Sequence, residues 1–130
     1  MTVASLLAAL TFAAGVPVQA FVGGASVCTT DGVLCTADSA PAYYEPSPEG
    51  IFLRRSLLVR IGRGNADAFF AYVHEVGHHR TYRLSASPVR REILAESWAA
   101  RNYARLARQV FGDRAARQMT ERATASGSLR

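Results

Sequence analysis

Three side chains in the string AYVHEVGHHR, residues 71 to 80, are of types that hold and use a metal: His74, Glu75 and His78. An α-helix advances about 100° per residue, so positions four apart lie nearly above one another. On a helix, His74 and His78 therefore present two imidazoles from one face, a spacing that suits a single zinc ion. Glu75 follows the first histidine directly, which places its carboxylate beside the metal's open position, where it can take a proton from a bound water. The string supplies two ligands and a base. His79 points about 100° away from His78 and reads as a surface or supporting residue rather than a ligand.

A catalytic zinc ion usually keeps three protein ligands and one open position, so two histidines are incomplete. The candidates for the third lie downstream in EILAESWAA, where Glu92 and Glu96 are four apart on one face, with Ala95 and Ala99 beside them. The small alanines would let two helices approach closely. A short turn near residue 86 makes the two helices antiparallel neighbours and brings the glutamate face back over His74 and His78. Distance from the turn allows either glutamate as the ligand. Both could instead pair at the surface with Arg90, Arg91 or Arg101. Attack of a metal-bound water on a carbonyl would also need a group to steady the carbonyl oxygen. Tyr82 and Tyr103 sit on the relevant faces, and each reads equally well as core.

The elements that must carry these residues are marked by their ends. Asn65 is a good N-cap with Asp67 in the first turn, so a helix is predicted over 66 to 84. Ser87 caps a second helix with Pro88 at its first position; it runs from 89 to about 111 and stops at Gly112. Beyond it, RAARQMTERATASGSLR begins helical and frays, with residues 119 to 130 expected as a polar tail. Upstream, IFL at 51 to 53 reads as a strand whose edge could hold an extended peptide. The following RRSLLVRI is a short helical or extended piece. TADSAPAYYEPSPEG reads as a loop. In VCTTDGVLCT, Asp31-Gly32 is a strong two-residue hairpin signal, which would set Cys28 opposite Cys35 and allow a disulfide. These elements make an α+β domain.

With 130 residues the chain is one small domain, 49% hydrophobic and 19% charged, in keeping with a folded protein. Its net charge is +5 and unevenly spread. Residues 1 to 53 hold four acids and no base, whereas 54 to 130 hold all fifteen arginines against six acids. The arginines are spaced through amphipathic helices, which points to a solvated face and away from specific nucleic-acid binding. The chain is expected to act as a monomer.

The first thirty residues carry no charged side chain. MTVASLLAALTFAAGVPVQA has a long apolar stretch followed by Val18-Gln19-Ala20, a small-x-small pattern of the kind cut by signal peptidase. Residues 1 to 20 are therefore expected as a leader, with 21 to 118 as the working domain. A paired Cys28 and Cys35 would agree with export to the cell envelope or beyond. The alternative is a buried helix from about residue 3 to 14 that turns at Gly15 into a strand, in a cytoplasmic protein. Membrane association is expected only if the segment is an uncleaved anchor.

HEVGHH followed by VRREILAESWA resembles the active-site pair of the gluzincin metallopeptidases, in particular the neutral zinc metallopeptidase and ImmA/IrrE-like families, whose pattern is H-E-x-G-H followed by E-x-x-A-[DN]. The upstream AYYEPSPEGIFLRRSLL is similar to the segment those proteins place before the active-site helix, so the resemblance spans about residues 41 to 105. It implies a minimal zincin-like domain that binds Zn2+ and hydrolyses a peptide or protein substrate. His74, His78 and Glu92 would be the metal ligands, Glu75 the general base, and Glu96 the residue that supports a ligating histidine or substitutes as a ligand. Glu96 stands where the pattern has Asp or Asn. Two other functions remain open: a cytosolic regulatory protease, and a non-catalytic module in which zinc staples a small core.

Overall fold

The string ADAFFAYVHEV places apolar side chains on nearly every side of a helix, the pattern of a helix covered all round. A computed structural model describes residues 1–22 and 40–129, together with the backbone of 27–28 and 34–35. In it this segment is α3 (Ala66–Thr81), and Phe69, Tyr72, Val73 and Val76 have no exposed surface. Before it come α1 (Val3–Ala14), β1 (Val18–Phe21), β2 (Val27–Cys28), β3 (Leu34–Cys35), β4 (Ala42–Pro46), β5 (Glu49–Arg54) and α2 (Arg55–Gly62). After it come a 3-10 turn (Tyr82–Leu84), α4 (Pro88–Phe111) and α5 (Asp113–Ser126). The architecture is α+β. Helices α2, α4 and α5 and strands β4 and β5 all pack against α3.

The helix ends follow their capping residues. Asn65 accepts the Ala68 N–H at 2.9 Å, and Ser87 accepts the Arg90 N–H at 3.3 Å with Pro88 at the first position. Gly112 ends α4 at φ 87°, a left-handed conformation that only glycine adopts at little cost. The α3 helix closes three residues earlier than its periodicity suggests. There Thr81 Oγ1 donates to the Gly77 carbonyl at 2.8 Å, and the chain tightens into the 3-10 turn.

The main sheet has the order β1-β5-β4, with β1 parallel and β4 antiparallel to β5. Two expectations change here. AYYEPSPEG, expected as a loop, instead forms β4 and the turn of a hairpin that contains a cis Ser47–Pro48 bond. Tyr43 stacks on Phe52 across the pair with centroids 4.8 Å apart, a contact that the proline-rich composition concealed. The second change concerns Ile51 to Leu53. They lie in the central strand, hydrogen-bonded on both sides, so they offer no edge to a peptide.

Residues 1–20, expected as a leader cut after Ala20, are built into this fold. Leu6, Leu10, Ala13 and Ala14 of α1 are buried, Gly15 turns the chain at φ 73°, and Val18 pairs with Ile51. Tyr72 of α3 donates its hydroxyl to the Leu10 carbonyl at 2.7 Å within the core. Among the described residues, no helix is long and apolar enough to cross a membrane.

The small β2–β3 ladder pairs Val27 with Cys35 and Cys28 with Leu34. That register is offset by one from the Cys28–Cys35 pairing expected of a two-residue Asp31-Gly32 turn. The turn itself and both thiols lie outside the described residues. The C-terminal segment also differs from the fraying tail expected. Helix α5 runs to Ser126 because Ala116, Met119 and Ala123 make a narrow apolar stripe that is buried against the core.

Candidate metal centre

The α3 and α4 helices approach so closely that a Cβ at Gly77 would stand 2.5 Å from the carbonyl oxygen of Ala95. Glycine inside a helix costs roughly 1 kcal/mol relative to alanine. Here it lets the two backbones touch, with Ala95 and Ala99 fully buried on the opposing face. Sequence reasoning identified the alanines but passed over Gly77 as a packing residue. A glycine three positions after His74, in an otherwise strong helix, was the available signal.

This contact sets the histidine face of α3 against the glutamate face of α4. Glu92 bridges the two imidazoles: Oε2 lies 2.9 Å from His74 Nε2, and Oε1 lies 2.9 Å from His78 Nε2. The two Nε2 atoms are 3.1 Å apart. Ligand atoms from His74, His78 and Glu92 thus converge within 4.8 Å of one another. Zinc bonds of about 2.0 Å in a tetrahedral arrangement separate neighbouring ligand atoms by about 3.3 Å. The imidazole nitrogens at 3.1 Å and the carboxylate oxygens at 2.9 Å, each on one imidazole, lie within about 0.4 Å of that value, and the donor set of two imidazoles and a carboxylate suits zinc. The residues fit the metal.

Glu96 takes a different position. Its Oε2 lies 2.6 Å from Nδ1 of His74, the ring nitrogen turned away from the cluster. A carboxylate there accepts the Nδ1–H and so fixes the tautomer that leaves Nε2 free to ligate. Both glutamates remain largely open to solvent, with side-chain exposures of 61% for Glu92 and 56% for Glu96. They face the histidines all the same. Of the arginines that could have drawn them to the surface, Arg91 bonds the Ser85 carbonyl through Nε and lies over the Tyr82 ring, while Arg101 bonds Ser97.

The charges follow this geometry. Burial alone would lower the His74 pKa, but the hydrogen bond to Glu92 and the charges of Glu75, Glu92 and Glu96 push it up to about 9. Hydrogen bonds from His74 and His78 hold the Glu92 carboxyl well below the usual carboxylate range. Burial raises the Glu75 carboxyl, opposed by the pull of His74 and His78.

The remaining candidates fall outside the cluster. Tyr103 is core, its hydroxyl bonded to the Ala66 carbonyl at 2.8 Å. Tyr82 packs edge-on against Tyr44 beneath the Arg91 guanidinium. His79 turns away from the cluster, as the helical angle requires. Its Nδ1 is buried with no hydrogen-bond partner among the described residues, the Glu49 carboxylate lying 3.7 Å away, and burial lowers its pKa. Comparison of the chain with family models, with curated proteins and with solved structures finds no match.

Proposed function

We propose that the chain is a zinc-dependent metallopeptidase. One observation carries this reading: His74, His78 and Glu92 meet from two helices, with Glu96 on the outer nitrogen of His74. It agrees with the resemblance of residues 41 to 105 to the gluzincins. His74, His78 and Glu92 would hold the metal, and zinc held there supplies a Lewis acid that polarises a carbonyl and makes water acidic enough to attack it. Glu75, adjacent to His74 in sequence and half-buried, takes the proton that the attacking water loses. It then returns that proton to the leaving amine. Glu96 keeps the His74 ring oriented through both steps.

The test is metal analysis of the purified protein beside its Glu75→Gln variant, each assayed for chelator-sensitive cleavage of unfolded casein. Equal zinc in both and hydrolysis by the wild type alone would support the proposal. Zinc in both and hydrolysis by neither would make the cluster a structural staple between α3 and α4, and absence of zinc would remove the metal reading. Terminal sequencing of the protein from its native cells bears on where it acts. An exported form cut after Ala20 would lack α1 and most of β1, whereas an intact Met1 would favour the cytosolic regulatory protease.

A further inference from the structure

An open cavity of about 910 Å³ lies along the α4 surface, and Glu92 and Glu96 of the candidate metal centre are among the residues that line it. Phe70, one helical turn before His74 on α3, lies along it, as do Ile93 and Ala100 of α4. Ile93 is 61% exposed, an apolar wall open to whatever occupies the space. Ser97 and Arg101 line the cavity as well. Nη1 of Arg101 donates to Ser97 Oγ at 2.7 Å, which draws the guanidinium back one turn towards the glutamates. None of the ion pairs among the described residues employs Arg101.

Resting on the metallopeptidase reading, we propose that this cavity is the specificity subsite and that Arg101 selects substrates carrying a carboxylate near the cleaved bond. The cavity combines apolar walls with a guanidinium held in place and available for a carboxylate, an arrangement that suits Asp, Glu or the terminal carboxylate of a peptide. Spacing sets the position. Ser97 follows Glu92 by five residues, about 7.5 Å of helical rise. An extended peptide covers that distance in about two residues at roughly 3.3–3.6 Å each. The carboxylate therefore belongs about two residues from the scissile bond. Lysine or arginine at that position would face the guanidinium and be disfavoured.

Matched peptides with Glu or Gln at each of three positions on either side of a cleavable bond, each with a free or amidated C-terminus, test this on the zinc-loaded protein. The expected result is a kcat/KM preference of roughly tenfold to a hundredfold for the carboxylate at one position, the range of a charge-assisted hydrogen bond. Arg101→Gln should erase it mainly through KM, and Arg101→Lys should restore part of it. A preference that follows the free C-terminus rather than the side chain would identify the terminal carboxylate as the selected group. Equal cleavage of Glu and Gln peptides with both kinds of terminus, or a preference that survives in Arg101→Gln, would overturn the subsite while leaving the peptidase reading intact. No cleavage of any peptide would overturn both.

Discussion

Glu92 and Glu96 share a helix face and a charge, yet one bridges both Nε2 atoms and the other meets only Nδ1 of His74. Losing a ligand should cost more zinc affinity than losing a support, for which roughly 10- to 100-fold is typical. Glu92→Ala is therefore expected to release zinc under mild chelation and Glu96→Ala to retain it with reduced affinity, as a competition titration will tell. Gly77→Ala tests the contact beneath them. Its methyl would meet the Ala95 carbonyl, so α4 must move, at a cost of about 1–3 kcal/mol for overpacking. Both a lower melting temperature and weaker zinc binding should follow, since the displaced helix carries Glu92. The histidines were legible in the sequence because helical spacing alone sets them on one face. Spacing put both glutamates within reach, and only the resemblance to the gluzincins told them apart. In the structure they differ by one helical turn along α4, while Gly77 sets how closely the two backbones approach.

At the scale of elements, legibility followed the strength of local signals. Asn65, Ser87-Pro88 and Gly112 mark helix ends through hydrogen bonds to near neighbours, and the structure has the corresponding ends within a residue or so. Strand β4 was hidden because its stabilising partner, Phe52 opposite Tyr43, belongs to another strand and its turn is rich in proline. Helix α5 was hidden because its apolar stripe is narrow in a polar sequence. The α1 helix had an equivocal signal, being uncharged like a leader. Its burial makes a definite prediction. Leu6 and Leu10 are almost wholly enclosed, and burying a leucine contributes roughly 1.5–3 kcal/mol. Removing residues 1–20 also deletes most of a sheet strand, a loss comparable to the roughly 5–15 kcal/mol that stabilises a typical domain. The protein beginning at Phe21 should show no cooperative thermal transition by circular dichroism.

For the molecule as a whole, stability should respond to acid through the contact between the start of α3 and the end of α5. Hydrogen bonds from Ser126 and Ser128 to Asp67 lower its pKa from the ordinary 3.8, and Arg60 acts in the same direction. A depressed carboxylate stabilises the fold above its unfolded pKa, and that contribution fades as pH falls through the folded value. The melting-temperature difference between wild type and Asp67→Asn should thus be full near neutrality and shrink below about pH 4. Arginine makes the whole chain basic, with exposed guanidiniums spread over several helices. Binding to duplex DNA should accordingly be weak and vanish at physiological salt in a mobility-shift titration.

The Asp67 contact also bears on when the protein becomes competent during its synthesis. Ser128 both bonds Asp67 and lines, together with Gly127, the cavity that Glu92 and Glu96 also line. These residues follow α5 in the chain, whereas His74, His78, Glu92 and Glu96 lie on α3 and α4 and leave the ribosome before them. A nascent chain can therefore gather its histidines and glutamates while one wall of the cavity is still missing. The order of synthesis thus separates the four side chains from the wall that Gly127 and Ser128 supply.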